Sequence, residues 1–251
     1  GDFRRLNAIT EPDRYPLPHI QHFSSKLYGK KIFSKMDIVK GFFHIPMATE
    51  DIPKTAVITP FGLFEFLRMP FGLCNAAQTF QRFMDNALQD VEDIFVYVDD
   101  ILVASRTLSE HVSTLRTICT RLQKFGLAFN VNKCTFAVSS LSFLGHKVSE
   151  AGIEPLPEKV KAIRSYPLPT NKKELSRFTG MINYYHRFIP NIAGILKPLY
   201  ELPSTKSGKI TMSEEAKESF FKAREALAKS TLLAHQDIRA PLALTTDASV
   251  S

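Results

Sequence analysis

The chain has 251 residues, 44% hydrophobic and 23% charged, an ordinary globular balance at a length that can bury a sizeable core and form two or three subdomains. Its net charge of +7 favours a polyanionic partner such as nucleic acid. Three widely spaced cysteines, Cys74, Cys119 and Cys134, with no C-x-x-C, argue against a disulfide framework or a zinc site and suit a reducing compartment; no apolar run is long enough to span a membrane, and no signal peptide is expected.

Residues 1–31 are polar, basic and proline-punctuated, and the X-Pro pairs of Tyr15-Pro16-Leu17-Pro18 force extended or turn backbone. A short helical segment is expected from about Ile20 to Leu27. Ile32 to Ile38 alternates as a strand carrying an acid, Asp37, at its end. Gly41 permits a tight bend before Phe42-Phe43-His44. Thr55 to Thr59 and Leu63 to Arg68 read as a strand pair. Asn75 is placed to cap a helix to about Gln89, with Phe80, Phe83, Met84 and Leu88 at helical spacing. Phe95 to Leu102 then sets two apolar runs around Asp99-Asp100, the pattern of a hairpin tip. Ser109 is expected to cap a helix to Phe125, ended by Gly126. Strands are expected next around Ala128 to Val131 and Ser142 to Val148. The rhythm is that of an α+β sheet with helices on one face.

From Ile153 the texture becomes helical. Pro155 and Pro157 open a helix to about Ser165, and Asn171-x-x-Glu174 resembles a capping box for a second, to about Arg187. Pro190, Pro198 and Pro203 punctuate the next stretch of chain. Ser204 to Lys209 reads as a linker, Ser213 caps a helix to about Lys229, and Pro241 to Thr246 is a strand ending at Asp247. The expected organisation is 1–152, 153–203 and 204–251. Both ends look cut.

Taken alone, Asp99-Asp100 reads first as a solvated turn between core strands. Two adjacent carboxylates also repel and raise one another's pKa unless a cation sits on them, and hard oxygen ligands suit Mg²⁺. Asp37 changes the balance. If its strand lies beside the hairpin, Asp37 and Asp99 converge and can share two divalent ions, the arrangement used for in-line phosphoryl displacement. Phe42 could exclude a ribose 2′-OH, or simply be core. Gly41 could present backbone amides to phosphate. Lys133 could contact phosphate or be a solvated loop lysine. The basic helix bearing Lys172, Lys173 and Arg177 fits a phosphate-tracking surface as well as it fits an ordinary solvated face. No Walker-type P-loop, G-x-G-x-x-G or G-x-S-x-G is present.

These motifs together resemble the reverse transcriptases of gypsy-type LTR retrotransposons. Asp2-Phe3-Arg4-Arg5-Leu6-Asn7 is similar to a fingers segment, and Asp13-Arg14-Tyr15-Pro16-Leu17-Pro18 is similar to the D-R-Y-P-L-P run. Ser34 to Ile45 resembles the first palm motif, which Phe66 to Leu73 and Ala77 to Met84 continue. Tyr97-Val98-Asp99-Asp100 resembles the Y-[VLM]-D-D box and Phe143-Leu144-Gly145-His146 the primer grip. The likeness is collinear over nearly the whole chain.

The resemblance implies a right-hand polymerase palm with partial fingers and a helical thumb or connection, performing RNA-directed DNA synthesis. It implies two Mg²⁺ ions (Mn²⁺ in their place), dNTPs, and an RNA or DNA template with primer, with no membrane. Asp37 and Asp99 would hold the metals with the Ile38 carbonyl, and Asp100 would complete the acidic cluster. Lys40 and Gly41 would face the triphosphate and Phe42 would gate the sugar, with Phe71 beside the nucleotide and Lys133 at the pyrophosphate. Phe143, Leu144, Gly145, Gly180 and Tyr184 would follow template and primer. Asp247 would be an RNase H remnant without its partner acids, so RNase H activity is not expected. The basic fingers clamp would lie before Gly1, which leaves a template–primer-holding remnant without catalysis as the alternative. The resemblance also implies a cytoplasmic protein within retrotransposon particles.

Overall fold

Strand β1, Ile32–Asp37, owes its form to the alternation seen in the sequence. Ser34 and Met36 point to one side and are fully buried, while Lys35 and Asp37 point to the other and are not; the aromatic Phe33 also suits a pleated sheet. The computed structural model describes residues 1–19, 24–203, 209–229 and 233–235. They fall into two units, residues 1–141 with His235, and residues 142–234.

In the first unit β1 lies between β5, Asp100–Ser105, and β6, Thr135–Val138, with β4, Ile94–Tyr97, outside β5. All the pairings are antiparallel. Two helices cover one face of this sheet. The Ala76–Ala87 helix supplies Phe80 and Met84, and the Leu108–Lys124 helix supplies Ile118 and Leu122, to a core shared with Met36, Val96, Ile101 and Val103. Side chains alternate along a strand, so Lys35, Asp37 and Asp100 share the face turned away from those helices. A small hairpin, Val57–Thr59 with Gly62–Phe64 (β2 and β3), stands apart from the main sheet.

A polar device ties the longer helix to the sheet. His111 is fully buried, with Nε2 2.6 Å from Ser34 Oγ and Nδ1 2.9 Å from Ser105 Oγ, and Ser34 Oγ accepts the Ala137 N–H at 2.9 Å. Burial holds the imidazole below its usual pKa of 6.5. The unfolded chain therefore takes up the proton first, and stability contributed by neutral His111 is lost as pH falls below 6.5. Melting temperature should drop between pH 7.5 and 5.5 more steeply in the wild type than in His111→Asn; parallel curves would rule the switch out.

The second unit holds a three-stranded meander, Ser140–Phe143, His146–Ser149 and Gly152–Pro155 (β7 to β9), whose first strand begins at the border between the units. Its helices are Pro157–Arg164, Lys172–Tyr184, Ile192–Tyr200 and Glu214–Ala228. The border precedes the composition change at Ile153 because β8 pairs with β9 and Ile153 bridges Leu233.

Several expectations need correction. The strand expected at Ala128 to Val131 is a single bridge, Ile38 to Phe129, followed by a 3-10 turn at Val131–Lys133. Ser142 to Val148 is two strands, because Leu144 and Gly145 both take positive φ and reverse the chain. The strand pair around residue 60 is shorter, since Thr49–Thr55 is a 3-10 helix. Thr107, not Ser109, caps its helix, in a reciprocal capping box with Glu110. Asn75 stands at the cap position but spends its side chain on Asp13 N and Glu11 O. Ile192–Tyr200 is helical despite Pro198, because burial of Leu196 and Leu199 outweighs the one hydrogen bond that proline removes. Ser24–Leu27 is a 3-10 turn. Residues 20–23, most of the expected linker, and the expected strand with Asp247 lie outside the described residues.

Candidate active site

Register brings the three acids together. Asp37 lies opposite Asp100 across β1 and β5, and the Ile38 N–H donates to the Asp99 carbonyl at 2.8 Å. Tyr97 pairs with Asp100, leaving a two-residue tip of Val98 and Asp99. Val98 has φ of +50° while Asp99 does not enter the left-handed region, the pattern of a type II′ hairpin turn. Glycine normally fills that first position. A β-branched residue there is strained, at a cost of about 1–3 kcal/mol, and persists only where its surroundings over-determine it.

The carboxylates are unevenly compensated. Lys35 Nζ lies 3.0 Å from Asp100 Oδ1 and Lys133 Nζ lies 3.6 Å from Asp37 Oδ1. Asp99 Oδ1 is buried without a hydrogen-bond partner or an ion pair, whereas Asp100 Oδ1 is answered only by the Lys35 ammonium. Burial, then the charges of Asp37 and Asp100, push the Asp99 carboxyl up to about 6, against a lowering pull from Lys133. An unpaired buried carboxylate oxygen is costly, and a hard divalent cation is the partner this all-oxygen set fits. No three His, Cys, Asp or Glu side chains among the described residues close into a protein cage. Mg²⁺ needs none, because it keeps several waters and binds through one or two carboxylates plus substrate phosphates.

Gly41 is buried directly on this site. A Cβ there would stand 2.1 Å from Asp99 Oδ1 and 2.5 Å from Phe80 Cζ, so glycine is required by the approach of the carboxylate itself. Lys40, in the left-handed region at φ of +48°, starts the 3-10 turn Gly41–His44. Phe42 is braced edge-on by Phe71 at 5.2 Å and Phe80 at 5.6 Å, and Phe71 also meets Phe43 at 5.4 Å. Of the predicted nucleotide-binding residues, Gly41 and Lys133 therefore stand directly against the acids, Lys40 and Phe42 flank Gly41 in the chain, and Phe71 is tied to that turn through the ring of Phe42. The sequence reading missed Lys35, although strand alternation puts it on the Asp37 face, and it missed Gln81, whose side chain accepts the Val98 N–H at 2.7 Å.

The predicted template–primer residues lie in the second unit. Leu144 and Gly145 form the tip between β7 and β8. The Tyr184 hydroxyl donates to the Leu144 carbonyl at 2.6 Å and the Tyr185 hydroxyl to that of Gly145 at 3.0 Å. Phe143 is 1% exposed, so its ring is packing and only its backbone can face a ligand. Gly180 is exposed, and a Cβ there would meet open space; nothing inside the unit demands glycine at that point of the helix.

An antiparallel sheet backed by two helices, with carboxylates converging beside a hairpin tip, defines a polymerase palm. The family model described as reverse transcriptase (RNA-dependent DNA polymerase) matches residues 1–148, and the chain belongs to that family. It is 42% identical over 250 residues to the retrovirus-related Pol polyprotein from transposon 297 of Drosophila melanogaster, covering 99% of this chain and 24% of that protein. It is 35% identical over 263 residues to the Pol polyprotein from transposon gypsy of the same fly, covering all of this chain and 25% of that one. The foamy viral protease-reverse transcriptase, solved in complex with double-stranded DNA, matches with a TM-score of 0.85 and 26% identity over 96% of this chain and 43% of that chain. The chain thus spans about a quarter of the polyproteins it matches. The resemblance to gypsy-type reverse transcriptases and the palm-like α+β fold are both borne out.

Proposed function

We propose that this chain extends a primer on an RNA or DNA template, joining the primer 3′-oxygen to the α-phosphorus of a dNTP with loss of pyrophosphate. The convergence of Asp37, Asp99 and Asp100 carries the reading. Asp37 and Asp99, with the Ile38 carbonyl, would hold two Mg²⁺, or Mn²⁺ in their place. When bound, such ions make a hydroxyl a better nucleophile and neutralise a leaving pyrophosphate. Lys35 restrains Asp100, so Asp37 and Asp99 are the better-placed ligands. Lys133 sets an exposed ammonium beside Asp37, suited to a phosphate of the incoming nucleotide. Gly41, which stands against Asp99, and its neighbour Lys40 would face the same triphosphate.

Phe42, braced by two rings, is a stiff wall against a 2′-hydroxyl. Phe42→Ala should relax deoxyribonucleotide selectivity by roughly 10–200-fold, the scale of a small steric exclusion. Competition between dNTP and rNTP in single-nucleotide extension measures it, and unchanged selectivity would remove the gate role.

In the second unit, exposed Lys172, Lys173, Arg177, Gly180 and Tyr184 share the helix Lys172–Tyr184. They suit the close approach of a duplex backbone. Gly180→Ala should raise stability by up to about 1 kcal/mol through helix propensity while weakening duplex binding. Chemical denaturation and fluorescence anisotropy test the pair, and unaltered duplex affinity would sever Gly180 from nucleic acid.

Primer extension on an RNA template, wild type against Asp99→Asn, tests the main reading. Equal extension by the two proteins would sink the assigned chemistry. Salt-dependent duplex binding without incorporation by the wild type would favour a fragment that only holds template and primer.

A further inference from the structure

The apolar face of the Ala76–Ala87 helix buries Ala76, Phe80, Met84 and Ala87, and with them, fully buried, the amide of Gln81. A buried amide is tolerated only when its hydrogen bonds are made. Gln81 Nε2 donates to the Val96 carbonyl at 3.1 Å and to Asp85 Oδ1 at 2.9 Å, and Oε1 accepts the Val98 N–H at 2.7 Å. Strand β4 is the edge of its sheet. Its inner edge pairs with β5 through Tyr97 and Asp100, so Val96 and Val98 turn their polar groups outward, where a further strand would pair. The Gln81 side chain takes the place of that strand.

The clamp is itself held. Asp85 Oδ2 accepts the Tyr15 hydroxyl at 2.6 Å, the Arg82 guanidinium lies 4.7 Å over the Tyr15 ring and reaches Asp13 at 2.6 Å, and Asp13 Oδ1 accepts the Tyr15 N–H at 2.9 Å. The Asp13-Arg14-Tyr15-Pro16 stretch, which had no role from the sequence, thus braces the residue that holds the turn.

We propose that Gln81, braced through Asp85 by Tyr15, is a positioning residue that holds Val98 in its strained conformation and so fixes the direction of the Asp99 carboxylate. The proposal rests on the polymerase reading for its catalytic consequence, though not for the clamp. Gln81→Met keeps side-chain length and removes the amide; Tyr15→Phe removes one hydroxyl at the far end. In Gln81→Met, amide exchange at Val98 should accelerate roughly tenfold or more, Mn²⁺ affinity measured by water relaxation should weaken, and kcat for extension should fall on the order of 10- to 100-fold, the cost of a misplaced reacting group. KM for dNTP and duplex affinity should stay within about twofold, which a general loss of folding would not allow. Tyr15→Phe should move the same readouts less far. Wild-type Val98 exchange and Mn²⁺ affinity in folded Gln81→Met would overturn the proposal. Should Gln81→Met fail to fold, Tyr15→Phe decides it: faster Val98 exchange supports the clamp and wild-type exchange overturns it. A wild-type chain that extends no primer would refute the polymerase reading alone, leaving Val98 exchange to judge the clamp.

Discussion

Asp99→Asn should abolish primer extension and, in EDTA at neutral pH, raise the melting temperature. The first effect comes from losing a ligand for ions that supply several kcal/mol of charge stabilisation; at 1.36 kcal/mol per tenfold, extension falls on the order of 10³-fold or more. The second comes from crowding. The Asp99 carboxyl is half-buried, faces Asp37 and Asp100, and is pushed from 3.8 up to about 6. A pKa raised in the folded state means that stability is full below 3.8 and is lost as pH rises through about 6. The shift taken at face value is about 3 kcal/mol, and solvent screening of a half-exposed group reduces it to about 1–2 kcal/mol. Asparagine carries no charge to penalise. The gain from Asp99→Asn should therefore be largest above pH 6 and shrink as pH falls toward 3.8. Mg²⁺ should raise the wild-type melting temperature by mass action and leave Asp99→Asn nearly unmoved. A variant less stable than wild type in EDTA at pH 7 would show that Asp99 holds the fold rather than loads it.

Residues whose meaning is local were legible in the sequence. The strand ending in Asp37, the hairpin around Asp99 and the helix stripes depend on period-2 and period-3.6 patterns, and each came out where the periodicity placed it. What depends on a distant partner was not legible. Gln81 sits on a helix stripe where an apolar residue fits, and only the edge of β4 explains it. Lys35 reads as a solvated strand residue until Asp100 is placed diagonally across from it. Phe143, the aromatic of the Phe-Leu-Gly run, resembled a ligand contact but is core, because the tip after it reverses at Leu144 and Gly145. Pro198 reads as punctuation because proline's cost is local and visible, whereas the burial of Leu196 and Leu199 that overrides it is tertiary.

Gly41→Ala should cripple primer extension although it removes no acid, for a reason the sequence does not show. Gly41 does not have positive φ, so alanine carries no backbone penalty and the whole cost is steric. The new methyl would stand 2.1 Å from Asp99 Oδ1 and 2.5 Å from Phe80 Cζ. Phe80 is fully buried and edge-packed against Phe42, so it has little room to yield. The carboxylate must then swing away, by about 1 Å or more to restore ordinary contact, and a displacement of that size at a reacting centre costs about 100-fold. Overpacking should lower stability by about 1–3 kcal/mol. If Gly41 served only to lend a backbone amide to the triphosphate, alanine would preserve that amide and leave both kcat and KM for dNTP nearly unchanged. A double-mutant cycle separates the two readings. In the Asp99→Ala background the 2.1 Å contact is gone and only the Phe80 contact remains, so Gly41→Ala should cost distinctly less stability there than in the wild type. Additive losses from the two substitutions would mean that Gly41 and Asp99 do not sense one another, and the glycine's place in the site would have to be sought at the phosphate instead.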